Sequence, residues 1–136
     1  MSKQVFINLP VKDLKKSKQF YEAIGFTNNP QFTDETAACM VWSDAIFVML
    51  LTHDKFKQFI TKTIIDAWQS AGVINALSLE SDNSVNAFVD KALKAGGREY
   101  AEPKDYGFMQ QRCVEDLDGH NWEIFYMDMS KFPVQQ

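Results

Sequence analysis

The apolar positions of this chain fall into a pattern that runs once and then starts again. Residues 5–10 form an apolar, strand-like stretch that ends on Pro10, which has no N–H to give to a sheet ladder. Asp13 follows as an N-cap, with Leu14, Phe20, Tyr21 and Ile24 at helical spacing behind it and Gly25 as the stop. Three short strand-like runs come next, at 26–32, 37–43 and 45–51, punctuated by Asn28-Asn29-Pro30, Thr33-Asp34 and Ser43-Asp44. The last run is apolar at every position: Ile46, Val48 and Leu50 alternate with Phe47, Met49 and Leu51. Such a strand carries an apolar face on each side of its sheet.

The second half opens in the same order. Residues 74–79 read as a strand, and Ser81 or Asp82 caps a helix with an apolar stripe of Val85, Phe88, Val89, Ala92 and Leu93. Gly96 and Gly97 close it, and strands are predicted at 99–106, 109–115 and 121–127. Leu9 falls on Leu77, Val11 on Leu79 and Phe20 on Phe88 at one constant offset, so both halves read β-α-β-β-β. The expected organisation is one domain, with module one at about 1–52, a crossover at 53–72 and module two at about 73–136. Phe56, Phe59, Ile60 and Ile64 in the crossover are spaced for a short helix, in a connection long enough to be either a functional lid or a bridge.

Composition narrows the function. The 136 residues are 46% hydrophobic and 13% aromatic, enough for a packed core and against disorder. A net charge of −4 and only two arginines, Arg98 and Arg112, leave no basic stripe for a nucleic acid. The run Ala45 to Leu51 falls far short of the roughly 18 residues of a membrane span, and no apolar signal region opens the sequence, so a cytoplasmic protein is expected. Cys39 and Cys113 lie far apart with no Cys-x-x-Cys and no adjacent His, which suits buried small side chains. No glycine-rich loop opens a helix, and no Ser-His-Asp or Cys-His arrangement can be drawn.

Two stretches carry a family resemblance. Leu9-Pro10-Val11-Lys12-Asp13-Leu14 with Phe20-Tyr21 and Gly25-Phe26, and Asp116-Leu117-Asp118-Gly119-His120-Asn121-Trp122-Glu123, resemble the vicinal-oxygen-chelate superfamily of glyoxalase I, bleomycin-resistance and extradiol-dioxygenase proteins. Asp105-Tyr106-Gly107-Phe108-Met109 leading to Arg112 is similar to a glyoxalase-like subgroup. The resemblance implies an α+β fold in which two tandem βαβββ modules form a curved mixed sheet, a half-barrel around a cavity, with helices on the outer face. Relatives of this kind often pair, sometimes exchanging modules, so a homodimer stands open beside a monomer.

In metal-dependent members four positions hold a divalent ion, one on the first and one on the last strand of each module. Carried across, these match Phe6, Leu50, Ile74 and Glu123. Three have no lone pair to donate, so neither a metal nor another cofactor is expected. The implied cavity would be lined by Phe6, Asn8, Trp42, Val48, Leu50, Ile74, Tyr106, Met109, Arg112, Glu123 and Phe125, an aromatic and sulfur-containing surface suited to flat apolar ligands.

Glu123 is the one candidate for catalysis, because a carboxylate facing an apolar cup can act as an acid or base. It can equally be a relic satisfied by a neighbour. Arg112 could bind an anionic ligand or pair with an acid such as Glu123. His120 reads as a turn residue beside Gly119, and His53 as a surface helix start. The expectation is a protein that holds a small apolar or aromatic molecule without metal, with no nucleic-acid or membrane partner. The alternatives are a metal-independent enzyme using Glu123 and a metal-dependent lyase or dioxygenase of the same superfamily.

Overall fold

In the computed structural model, which describes residues 3–133, the chain divides into two compact units, Met1–Ser70 and Ala71–Gln136. The first contains β1 (Val5–Val11), α1 (Leu14–Ala23), β2 (Thr27–Asn29), β3 (Ala37–Val41), β4 (Ile46–Thr52) and α2 (His53–Lys57). Its four strands are ordered β1-β4-β3-β2, with β1 parallel to β4 and the remaining pairs antiparallel. As the capping pattern predicts, the Asp13 carboxylate accepts from Lys16 N at 3.1 Å, and Gly25 leaves the helix at φ +117°.

Register fixes which side chains build the core. Leu9 lies opposite Leu50 and Ile7 opposite Val48 across the parallel pair, and Met40 and Ala38 flank them from β3. This face packs on α1 through Ser17, Phe20 and Tyr21, all buried. The other face carries Phe6, Asn8, Phe47, Met49 and Leu51, because side chains alternate along each strand.

The second unit repeats the plan with β5 (Ile74–Ser78), α3 (Asp82–Lys94), β6 (Arg98–Glu99), β7 (Lys104–Asp105), β8 (Met109–Glu115) and β9 (Asn121–Met127). Its order is β5-β9-β8-β6, with β7 also on β8 and β5 parallel to β9. Ser81 Oγ accepts from Ser84 N at 3.1 Å to start α3, whose Val85, Phe88, Val89 and Ala92 are buried. Trp122, Ile124 and Val114 share the sheet face on which α3 packs. Both units are therefore α+β, each with a mixed sheet covered by a helix, as the sequence pattern predicts.

Four details differ from the sequence reading. The strand expected at 26–32 stops at Asn29, because Pro30 opens a 3₁₀ turn over Pro30–Phe32. The strand expected at 99–106 breaks into β6 and β7 around 100–103, where Pro103 has no N–H for the ladder. The crossover helix starts earlier than its apolar spacing suggests and ends at Lys57, capped by Thr52 Oγ accepting from Lys55 N at 3.2 Å. The β-branched run Ile60, Thr61, Thr63, Ile64 and Ile65 disfavours its extension. Leu93, placed on the apolar stripe of α3, is 37% exposed.

Candidate functional site

The resemblance implies a site on the sheet faces turned away from the helices, and alternation decides which expected site residues reach them. In the first unit, Phe6 and Asn8 do. Phe6 stacks on Phe47 with ring centroids 4.4 Å apart and planes within 10°. Val48 and Leu50 do not: both are fully buried on the α1 face, pinned there by pairing with Ile7 and Leu9. Trp42 also lies away from the expected surface. It packs on Phe26 at 5.0 Å, and its ring is so close to Gly25 that an added Cβ would sit 3.2 Å from Cζ3.

In the second unit, Ile74, Met109, Glu123 and Phe125 share the far face, with Ala76 opposite Glu123 and Gln111 opposite Phe125. Arg112 is on the other side. Its Nε and Nη2 donate to the two carboxylate oxygens of Glu99 at 2.9 and 2.8 Å, and Nη1 donates to Asn86 and Asp90 on α3 at 3.1 and 3.2 Å. These bonds, the Glu99 pair first, push the guanidinium pKa above its already high ordinary value. The expected structural role for Arg112 thus has Glu99 and Asp90 as partners in place of Glu123, and the expected ligand contact on the far face is lost. Tyr106 is half-exposed in the β7–β8 hairpin, where Asp105 Oδ1 accepts from Gly107 N at 2.8 Å and Gly107 adopts φ +83°.

Around Glu123 the register assembles a polar row that the sequence did not reveal. Tyr100 N donates to Cys113 O at 3.3 Å, and Cys113 is opposite Glu123, which is opposite Ala76. Burial, reinforced by Cys113 and Glu123, pushes the pKa of the Tyr100 hydroxyl up to about 12. Arg98 Nε donates to the buried Glu115 carboxylate at 2.8 Å in the adjoining row. Glu123 itself is half-buried and has no hydrogen bond or ion pair among the described residues. Burial alone pushes the Cys39 thiol pKa up, as expected for a core cysteine.

The turn before β9 is built by Asp116. Its carboxylate is buried and accepts from Asp118 N and His120 N, both at 2.9 Å, while Gly119 takes φ +84°. The motif that carries the resemblance therefore positions the start of the Glu123 strand.

The donor set does not fit the divalent ion that the superfamily implies. At the offset that aligns the two modules, Phe6 matches Ile74 and Asn8 matches Ala76. Asn8 is opposite Met49 where Ala76 is opposite Glu123. Met49, rather than the expected Leu50, is thus the first-module counterpart of Glu123. The four positions are Phe6, Met49, Ile74 and Glu123, which supply one carboxylate and a soft thioether. Among the described residues no group of three or more His, Cys, Asp or Glu side chains could hold a metal ion.

Hollows flank these surfaces, one of about 530 Å³ lined by Glu99, Tyr100, Ala101, Glu102 and Pro103. In the first unit a cleft of about 410 Å³ is lined by Asn8, Leu51, Phe56, Phe59 and Ile60. In the second a smaller one of about 180 Å³ lies beside the α3 start, with Asn86, Lys104, Gln110 and Arg112 in its lining. Phe56, Phe59 and Ile60 were legible only as a helical spacing, with nothing to say that they face Asn8. No helix among the described residues is long and apolar enough to cross a membrane.

Comparison with known proteins agrees with this architecture. Residues 3–43 match the family described as bleomycin resistance protein-like N-terminal. A hypothetical protein from S. aureus superposes with a TM-score of 0.77 at 28% identity, over 93% of this chain and 95% of that one. A glyoxalase/bleomycin resistance protein/dioxygenase family enzyme from Burkholderia phytofirmans gives 0.76 at 15% identity, over 93% and 99%. A bleomycin resistance determinant encoded on the transposon Tn5 gives 0.65 at 19% identity, over 93% and 98%. No curated protein sequence matches the chain significantly. Residues 3–43 are thus similar to the bleomycin resistance protein-like N-terminal family, and the fold of the chain is that of the glyoxalase, bleomycin-resistance and dioxygenase proteins.

Proposed function

We propose that this chain is a bleomycin-resistance-type binding protein, a single domain of two modules that holds a small apolar or aromatic molecule without a metal. The observation that carries this reading is the replacement of coordinating side chains by Phe6, Met49 and Ile74 on the sheet faces turned away from the helices. The stacked Phe6 and Phe47 rings offer a flat hydrocarbon surface in the same place. The composition fits a cytoplasmic protein that takes no nucleic acid or membrane as partner.

A homodimer fits the strand edges. β1 pairs only with β4 in its sheet and β5 only with β9, and the apolar Val5, Phe6, Val73 and Ile74 along them are between 48 and 68% exposed. Such edges are covered in a stable protein, and a second copy is the simplest cover. Light scattering coupled to size exclusion should return twice the 15.6 kDa chain mass.

Elemental analysis of protein purified without chelator, then titration with Ni, Mn, Zn and Fe followed by tryptophan fluorescence, tests the metal-free reading. Stoichiometric uptake of any of these ions would overturn it. One observation favours a second reading, a metal-independent enzyme: the half-buried Glu123 carboxylate lacks a protein partner and adjoins the Tyr100 phenol, which keeps its proton to about pH 12. For an enzyme, Glu123→Gln abolishes turnover and leaves binding intact. For a binder, it changes neither.

A further inference from the structure

The cleft beside the crossover lies within the first unit, outside the polar row around Glu123. Its walls are Leu51 from the end of β4, Phe56 on α2, and Phe59 and Ile60 just beyond it. At about 410 Å³ it falls within the range of roughly 300–1,000 Å³ usual for small-molecule pockets. We propose that it seats a small neutral aromatic molecule carrying one O–H or N–H donor, such as a phenol or an aryl amine, and that Phe59 determines its specificity. The inference rests on the small-molecule reading above and gives that ligand a place and a chemical class.

Each part of the class comes from a particular residue. Asn8 is the one polar side chain in the lining. Its Nδ2 already donates to Phe6 O at 3.3 Å, and its Oδ1 accepts from nothing among the described residues. A ligand is therefore matched when it brings a donor. The apolar remainder selects against a charge, because nothing in the lining would compensate for the lost hydration. Phe56 and Phe59 favour a ring over a chain, since aromatic pairs gain from edge or offset contacts beyond their buried area.

Phe59 is unusual for a side chain of its size. It is 66% exposed, beside Ile60 at 40%. The Lys55 ammonium lies 5.5 Å from its ring centroid, while the Lys55 backbone N–H donates to the Thr52 cap. An exposed aromatic face lining a cleft is available to be covered when a ligand enters. The crossover thus contributes a wall of the site.

The test uses the full-length ¹⁵N-labelled protein titrated with 2-naphthol and with 2-methoxynaphthalene, in which a methyl group replaces the donor hydrogen. Both should shift the backbone amides of Asn8, Leu51 and residues 56–60 saturably. One hydrogen bond should make 2-naphthol about fivefold the tighter of the two. Asn8→Leu should erase that preference, and Phe59→Ala should weaken both probes by about tenfold. Both positions are exposed, so neither substitution removes core packing. Saturable shifts confined to Glu123, Phe125 and their neighbours would overturn the cleft while leaving the binding reading in place. Amide shifts of the cleft that follow protein concentration without any probe would mean that a second copy fills it, and would also overturn the assignment. Absence of saturable shifts with either probe would remove the assignment, and a molecule retained through purification would separately decide the broader reading.

Discussion

Arg112→Gln should destabilise the second unit without touching the far face of its sheet. The Arg112 side chain is 15% exposed and its main partner Glu99 is 21% exposed, joined by two parallel bonds at 2.9 and 2.8 Å. Breaking a fully buried pair costs about 3–5 kcal/mol, whereas an exposed pair is worth about 0–1. The Glu99 pair lies between these limits, nearer the buried one. The Asp90 contact, with that carboxylate 62% exposed, adds little. The loss should therefore be about 2–3 kcal/mol. At roughly 4 °C per kcal/mol for a chain of this size, the melting temperature should fall by about 8–12 °C. Circular dichroism melts and urea titrations of Arg112→Gln, Glu99→Gln and the double variant measure this directly. The coupling energy between the two positions should be about 2 kcal/mol. A melting temperature within about 2 °C of the parent, with no coupling, would refute the structural assignment of Arg112 and return it to the candidates for ligand binding.

Three other outcomes follow from the geometry. Absorbance titration of the phenols should show one of the four tyrosines ionising near pH 12, lost in Tyr100→Phe. Because its folded pKa is raised, the stability Tyr100 lends is fully present below the unfolded value of about 10 and lost as pH rises toward 12. Gly25→Ala should cost about 1–3 kcal/mol, since it places a Cβ at φ +117° and 3.2 Å from the Trp42 ring, and Trp42 fluorescence should shift with it. Glu123→Leu should leave stability within about 1 kcal/mol of the parent or raise it, because no hydrogen-bond or ion-pair partner among the described residues is stranded. A loss of several kcal/mol in chemical denaturation would mean that the carboxylate has a structural partner.

Local signals in the sequence located the elements well and their faces poorly. Asp13, Ser81 and Gly25 each act within one turn of their own position, so the starts of α1 and α3 and the end of α1 could be read directly. The strands at 109–115 and 121–127 likewise match β8 and β9. In β4, by contrast, every residue from Ile46 to Leu51 is apolar, so alternation gives no clue to which set faces α1. Only pairing with Leu9 settles that Leu50 is core and Met49 its outward neighbour. Arg112 was illegible for a related reason: its partner Glu99, 13 residues away, is set by the pairing of β6 with β8, and Asp90, 22 residues away, by the packing of α3 on β8. The cleft at Asn8 depends on the crossover helix ending at Lys57, which the 56–64 spacing did not convey.

The contrast between Met49 and Glu123, equivalent residues in a doubled plan, has an evolutionary reading. Neither of them, nor Phe6 or Ile74, holds up the helix-packed core of its own unit, so substitution at these places is cheap for folding. A lineage could gain or shed coordinating groups there in single steps while the scaffold beneath went on being inherited unchanged. Duplication of this kind separates the freedom to try new chemistry from the obligation to stay folded.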